Sequence, residues 1–386
     1  VGYNAKIEVG FLENGTSKIG AVSGGGPLGS LSDGVDPADA SFTQAVTTAN
    51  PNILSAVVNN TGSSPTQDLA VNNEGFDTGG ATLLSGSANT VRLGAVSSDT
   101  RDILGQISGN PGGYLSGEVA EVIAYDGALN AAQLRILHNH LSEKYGIEIA
   151  NDFYAHSANG TDVAGLGKAD SSFGAAPQGS HTTANSAELR LSTTAASLNG
   201  GEYILFGHDG APVSFSQAER PNGETTAQKI GREWRVDLEN ASSQSVDVSV
   251  AQGDLPALPS GFNDYAVFVD EDGSFSSGAT FVDLELNGSR YEASGVSISD
   301  GDYVTIAAVK RTIAFAEESE SDFENTSTPE PPLSLELNYP NQSGLTLGYD
   351  VSPGANGPTN DTDYETCCEP GQSATFTFPA NQTTYD

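Results

Sequence analysis

The stretch Gly117-Glu-Val-Ala-Glu-Val-Ile-Ala-Tyr-Asp126, followed after a short turn by Asn130 to Gly146, sets a strand pattern directly before a helix pattern. In the first part Val119, Glu121 and Ile123 fall on one face and Ala120, Val122 and Ala124 on the other, the period-two spacing of a strand. In the second, Asn130 is placed to cap a helix with Gln133 three residues on, a capping box. Leu134, Leu137, Leu141 and Tyr145 fall at i, i+3, i+7 and i+11, and Gly146 supplies the left-handed stop. This is the only persuasive helix, expected at about 130–145.

Outward from it, the chain reads as short strands with Gly, Ser and Asn at the turns. Upstream lie Ala5-Lys-Ile-Glu-Val-Gly-Phe, Ile53-Leu-Ser-Ala-Val-Val, Leu69-Ala-Val-Asn and Val91-Arg-Leu-Gly-Ala-Val. Downstream lie Asp162-Val-Ala-Gly-Leu-Gly-Lys-Ala-Asp, Tyr203-Ile-Leu-Phe-Gly-His-Asp-Gly, Arg232-Glu-Trp-Arg-Val, Tyr265-Ala-Val-Phe-Val and Asp300-Gly-Asp-Tyr-Val-Thr-Ile-Ala. Then come Leu333-Ser-Leu-Glu-Leu, Leu345-Thr-Leu-Gly-Tyr and Pro370-Gly-Gln-Ser-Ala-Thr-Phe-Thr-Phe. Trp234, the single tryptophan, sits in an alternating strand and is expected to anchor a core. Length predicts about two or three domains. The fold class is all-β: tandem antiparallel β-sandwiches, the first jelly-roll-like and ending in the one helix.

Three modules follow. The order from Leu54-Ser-Ala-Val-Val through Ala70-Val-Asn and Arg92-Leu-Gly-Ala to the closing Lys144-Tyr145-Gly146-Ile147 resembles the concanavalin A-like (laminin-G-like) jelly rolls of bacterial secreted proteins. That resemblance assigns residues 1–150, with the first strands missing. Residues 151–311 resemble an uncharacterised β-sandwich module that follows such jelly rolls in large bacterial adhesin-like proteins. Residues 312–386 resemble a Calx-beta domain, a calcium-binding sandwich: the matched elements are Glu324-Asn325 after an acidic lead-in, Asp363-Tyr364 after a Gly/Thr/Asn-rich turn, and the Pro-Gly-Gln hairpin before a Thr/Phe strand. The family pattern continues beyond Asp386, so the chain is expected to be a piece of something longer.

Composition bears on partners. There are 50 Asp+Glu against 15 Lys+Arg, a formal charge of -35. Such a surface repels nucleic acid and anionic membranes and suits hard cations, which prefer oxygen ligands. Adaptation to salty water explains the same excess. No apolar run is long enough to span a bilayer. The adjacent Cys367 and Cys368 would strain a bond to each other and are read as free or paired outside the chain. Asn-x-Ser/Thr triplets at Asn14, Asn59, Asn159, Asn240, Asn287 and Asn381 fit an extracellular surface.

For metal, the Calx-beta resemblance implies calcium ligands at Glu324 and Asp363, with Glu317, Glu318 and Asp361 available to add to them. Calcium takes about six to eight oxygens, so several carboxylates must converge. Asp270-Glu-Asp272-Gly-Ser274 is a second candidate, with an ordinary Asp-Gly turn as its alternative; Asp33-Gly-Val-Asp36-Pro-Ala-Asp39 is a weaker one. Tyr114 and Tyr125 are possible sugar platforms. No enzymatic role is assigned. His138 and His140 face different directions on the helix, and His156, His181 and His208 lack partners at ligand spacing. Glu118 and Glu121 point to opposite faces of their strand, and Glu121 is expected to meet the helix.

The sequence therefore predicts a non-catalytic segment of a large extracellular or cell-surface bacterial adhesin, stiffened by Ca2+ and contacting surface polysaccharide or a protein ligand. A rival is a structural filament or matrix subunit whose neighbouring copies complete each other's sheets. Another is a set of accessory modules of a polysaccharide-degrading enzyme.

Overall fold

The computed structural model describes residues 7–13, 17–23, 51–59, 66–73, 77–80, 119–125, 127–171, 179–315, 335–340, 344–350, 373–380 and 382–385. In chain order the strands begin with β1 (Ile7–Glu13), β2 (Ser17–Ser23), β3 (Leu54–Asn59), β4 (Thr66–Val71) and β5 (Asp77–Gly80). The helix α1 (Ala131–Tyr145) follows, then β6 (Thr161–Lys168), β7 (Ser180–His181), β8 (Thr183–Ser186), β9 (Leu189–Ser192) and β10 (Tyr203–His208). Next are β11 (Ala227–Lys229), β12 (Trp234–Glu239), β13 (Ser243–Ala251), β14 (Asp264–Asp270), β15 (Thr280–Asn287), β16 (Arg290–Ser299) and β17 (Tyr303–Val309). The last are β18 (Ile313–Phe315), β19 (Leu335–Leu337), β20 (Leu345–Asp350), β21 (Ser373–Phe378) and β22 (Thr384–Tyr385). The protein is all-β and antiparallel, with one α-helix among the described residues. No helix among those residues is long and apolar enough to cross a membrane.

Two compact units divide the chain. The first holds the chain up to Gly210 together with Trp234–Asp247 and Ser297–Asp302; the second holds Ala211–Glu233, Val248–Val296 and everything from Tyr303 onward. In the first, β10 lies between β6 and β12, and every residue of Tyr203–His208 is buried. A strand covered on both faces reads as a continuous apolar run, which Tyr203-Ile-Leu-Phe supplies. Gly167 makes the close packing possible: a Cβ there would stand 2.2 Å from the Tyr203 ring. Trp234 is fully buried and its indole N–H donates to the Ser186 carbonyl at 3.0 Å, so it anchors this core as the sequence predicts.

Helix α1 forms as the sequence predicts: Asn130 and Gln133 exchange side-chain-to-backbone hydrogen bonds at 3.0 Å each, and Gly146 takes φ 63° as the stop. Its buried face differs from the expected stripe. Only Leu134 of the four periodic residues is buried, Tyr145 is exposed, and Arg135, His138, Asn139 and Ser142 turn inward. The cause is the chain that the helix packs on. Residues 147–153 bring unpaired backbone groups against it, which polar side chains satisfy. Asn139 accepts from the Phe153 N–H at 2.7 Å, and the Ser142 hydroxyl donates to the Ile147 carbonyl at 2.6 Å. Ala131, Ala132 and Leu134 share an apolar cluster with Val57 and Ala70 of the β3–β4 ribbon and with Tyr154, Val163, Tyr203 and Leu205.

The strand expected over 117–126 is not formed in its described part. Residues 119–125 carry no strand pairing, and all of them are exposed. Glu121 does meet the helix, accepting from Lys144 Nζ and from the Tyr145 hydroxyl at 2.9 Å each. This side-chain clamp, and no strand ladder, is what ties the described part of the segment to the helix.

In the second unit β14 lies between β15 and β17, and β11 pairs with β17. Ala227, Ala266, Phe268, Phe275, Ala307, Val309 and Tyr339 form the core. The carboxy-terminal strands join it through Tyr339, whose ring stacks on Phe281 at 4.7 Å and whose hydroxyl meets Thr226 Oγ1 at 3.2 Å. The expected strands at Leu345 and Ser373 form the antiparallel pair β20–β21.

Candidate functional site

Of the residues expected to bind calcium, the structure describes Asp270 and Asp272. Glu318, Glu324, Asp361 and Asp363, with Glu317, lie outside the described residues, as do Asp33, Asp36, Asp39, Tyr114 and both cysteines. Asp270 ends β14 and is buried; its Oδ1 accepts the Asp272 N–H at 3.1 Å, and Asp272 Oδ1 accepts the Ser274 N–H at 2.8 Å. Gly273 between them takes φ +76° against the Tyr303 ring. Each carboxylate therefore has one oxygen engaged in closing the turn. Burial, helped by the neighbouring Asp272 carboxylate, pushes the Asp270 carboxyl above its ordinary range. Two side chains supply too few oxygens for a calcium shell by themselves. Among the described residues no three or more His, Cys, Asp or Glu side chains converge as metal ligands.

The histidines separate as the helix geometry requires. His138 Nε2 lies 2.8 Å from Ser55 Oγ on β3, while His140 Nδ1 lies 2.9 Å from the Val163 carbonyl on β6. His208 is buried; its Nδ1 accepts the Gly210 N–H at 2.9 Å, which leaves Nε2 facing Asp162 at 3.4 Å. Tyr125 is exposed.

The structure also assembles an ionisable group that the sequence reading did not find. Glu143 comes from the last turn of α1, Asp152 and His156 from the following loop, and Arg235 and Asp237 from β12. His156 Nε2 stands 2.8 Å from Asp237 Oδ2, and Arg235 Nε stands 3.3 Å from Asp237 Oδ1. The Tyr154 ring meets His156 edge-on at 5.6 Å and its hydroxyl donates to the Asn159 carbonyl at 2.9 Å. Gly160 leaves room for Glu143: a Cβ there would fall 2.6 Å from its carboxylate. Burial raises the proton affinity of Glu143, Asp152 and Asp237. The Asp152 charge adds to the effect on Glu143, whereas His156 and Arg235 oppose it at Asp237. Chemically the group can hold and exchange protons. The Trp234-Arg-Val-Asp strand was its one visible fragment, because its partners lie some eighty positions upstream.

A shallow depression of about 240 Å³ lies elsewhere in the first unit, lined by Ser192, Thr193, Thr194, Ser197, Gln244, Ser245 and Asp247. It offers hydroxyl and amide hydrogen bonds and no aromatic platform.

Residues 136–302 match a domain of unknown function, DUF8202. The match covers less than half of the chain. It starts within α1 and includes Glu143, Asp152, His156 and Asp237 as well as Asp270 and Asp272. Comparison with the curated proteins and with the solved structures returned no match.

Proposed function

We propose that the chain is a non-catalytic segment of an extracellular or cell-surface protein, an adhesin stiffened by Ca2+ that holds a binding face toward polysaccharide or protein on another surface. The observation that carries this reading is the charge balance. Lys229, Arg235 and Arg311 pair with Glu219, Glu233, Asp237, Asp264 and Asp283. With 50 Asp+Glu against 15 Lys+Arg, most carboxylates have no cation to pair with, in a chain of formal charge -35. A surface of that kind takes up divalent cations and is stiffened as its mutual repulsion is neutralised. The antiparallel β architecture suits a mechanical module, and the Calx-beta resemblance of residues 312–386 supplies the candidate ligands.

The test is thermal unfolding with Ca2+, with chelator, and with NaCl at matched ionic strength. A hundredfold excess over Kd contributes about 2.7 kcal/mol, or roughly 5–10 °C for a unit of about 150–250 residues unfolding on its own. A calcium-specific shift that vanishes in Glu324→Gln/Asp363→Asn supports the reading. An equal shift with NaCl would mean screening alone and would remove calcium from it.

The filament reading rests on a different observation, the run of exposed Val119, Val122, Ile123 and Tyr125. An apolar, unpaired segment is a template for pairing with another chain. Sedimentation that grows with concentration, and that Val122→Lys/Ile123→Lys abolishes, would move this reading ahead of the first.

A further inference from the structure

His138 is completely buried at the seam between α1 and the β3–β4 ribbon. Its Nε2 is 2.8 Å from Ser55 Oγ, and its Nδ1 has no hydrogen-bonding partner among the described residues. The surroundings explain why this ring stays neutral. The ribbon contributes the Ser55 hydroxyl and the apolar Val57 and Ala70, and the helix contributes Ala131, Ala132 and Leu134. Arg135, one turn earlier, directs its guanidinium over the rings of Phe153 and Tyr203, at 5.2 and 5.7 Å. Glu143, Asp152, His156 and Asp237 form their own group beyond the helix end, and His140 turns to β6. Burial is the cause that lowers the His138 proton affinity, to about 4.

A second proton would place a charge in this dry seam together with a second N–H. One N–H can reach Ser55 Oγ; the other, on Nδ1, meets no acceptor among the described residues. Other ties of the ribbon among the described residues run to the loop after α1. Asn73 and Asn151 exchange side-chain-to-carbonyl bonds at 3.0 and 3.3 Å, and the Ala150 N–H donates to the Asn72 carbonyl at 2.8 Å. Opening a seam of that size costs less than unfolding the β6–β10–β12 core beneath it.

We propose that His138 is an acid-sensitive latch, and that its protonation releases the β3–β4 ribbon from helix α1 while the rest of the first unit stays folded. Release uncovers Ala131, Ala132 and Leu134, turning a closed seam into an apolar surface in acid. The latch does not depend on the calcium reading.

Hydrogen exchange on the full chain, corrected for intrinsic rate and followed by mass spectrometry from pH 7.5 to 4.5, tests it. Peptides covering Leu54–Asn59 and Thr66–Val71 are expected to lose protection by about tenfold or more, while β12 and β14 keep theirs. In His138→Gln, which keeps a partner for Ser55 and cannot take a charge, the ribbon should hold at both ends of the range. The same pH dependence in that variant, or loss of protection in β12 together with the ribbon, overturns the proposal. Should His138→Gln fail to fold, titration of the imidazole by NMR in the unaltered chain decides. A ring that titrates as the ribbon opens supports the latch, and one that titrates with the ribbon still protected refutes it.

Discussion

The two units bury charge in different ways. In the second, two clusters are held by permanent cations: Arg311 reaches Asp283 at 2.6 Å and Asp264 at 3.2 Å, and Lys229 holds Glu219 and Glu233 beside the Phe275 ring, while the buried Asp270 is held by its turn. In the first, the buried groups are ones that can gain a proton: His138, and the Glu143, Asp152 and Asp237 carboxyls around His156. Arg235 is the one permanent cation at that cluster, on Asp237 at 3.3 Å. Asp264 stands outside the contrast: burial pushes its carboxyl up and Arg311 opposes that without reversing it, as Arg235 does at Asp237. The lesson is that a guanidinium partner keeps its charge throughout, so only the carboxylate can titrate, whereas with an imidazole both partners respond to pH.

The largest expected effect breaks the second unit's arrangement. Arg311→Met leaves Asp283, only 2% exposed, as a buried charge without its guanidinium, and should cost about 3–5 kcal/mol in denaturant unfolding. Adding Asp283→Asn should return much of that loss. A cost below about 1 kcal/mol would show that water reaches the pair and that the contrast between units is overstated.

Acid should find the first unit first. His138 takes its proton near 6.5 when unfolded and at about 4 when folded, so its contribution is intact above 6.5 and is lost as pH falls from there to about 4. The full loss is on the order of 3 kcal/mol. Glu143, Asp152 and Asp237 have raised proton affinities when folded, so as pH falls protonation through them favours the folded state and opposes the His138 effect. The check is the difference in unfolding free energy between the unaltered chain and His138→Gln at pH 7 and pH 4.5; the gap should change sign or shrink sharply in favour of the variant. Trp234, the only tryptophan, lies in the first unit.

Neutral hydrogen bonds should not distinguish the units. Asn130→Ala removes the α1 cap in the first, and Asn222→Ala removes the pair of bonds to Ala279 at 2.8 and 2.9 Å in the second. Each should cost about 1 kcal/mol, equally at pH 5 and pH 8. The smallest effect is at the surface: Glu121→Gln removes an exposed clamp on Lys144 and Tyr145, and the melting temperature should not move measurably.

Much of the fold was legible because its signals are local. Tyr203-Ile-Leu-Phe reads as a strand covered on both faces, and Asn130, Gln133 and Gly146 mark the helix ends by chemistry confined to a few residues. The segment around Val119–Tyr125 carried an equally clear strand pattern, yet its described part pairs with nothing. Alternation states which residues could share a face, and a ladder also needs a neighbour. The helix stripe misled for a related reason. Leucine spacing marks an apolar face, but the partners of α1 selected polar residues: loop backbone groups took Asn139 and Ser142, the Phe153 and Tyr203 rings took Arg135, and Ser55 of β3 took His138.

The sequence alone determined an acidic, all-β, antiparallel chain with one capped helix, because charge, alternation and capping are written in neighbouring residues. Only the tertiary structure decided which polar groups lie inside, bringing His138 to Ser55 and His156 to Asp237 from opposite sides of long loops. Burial and proximity are properties of the packed chain, and they set what a carboxyl or an imidazole does with a proton.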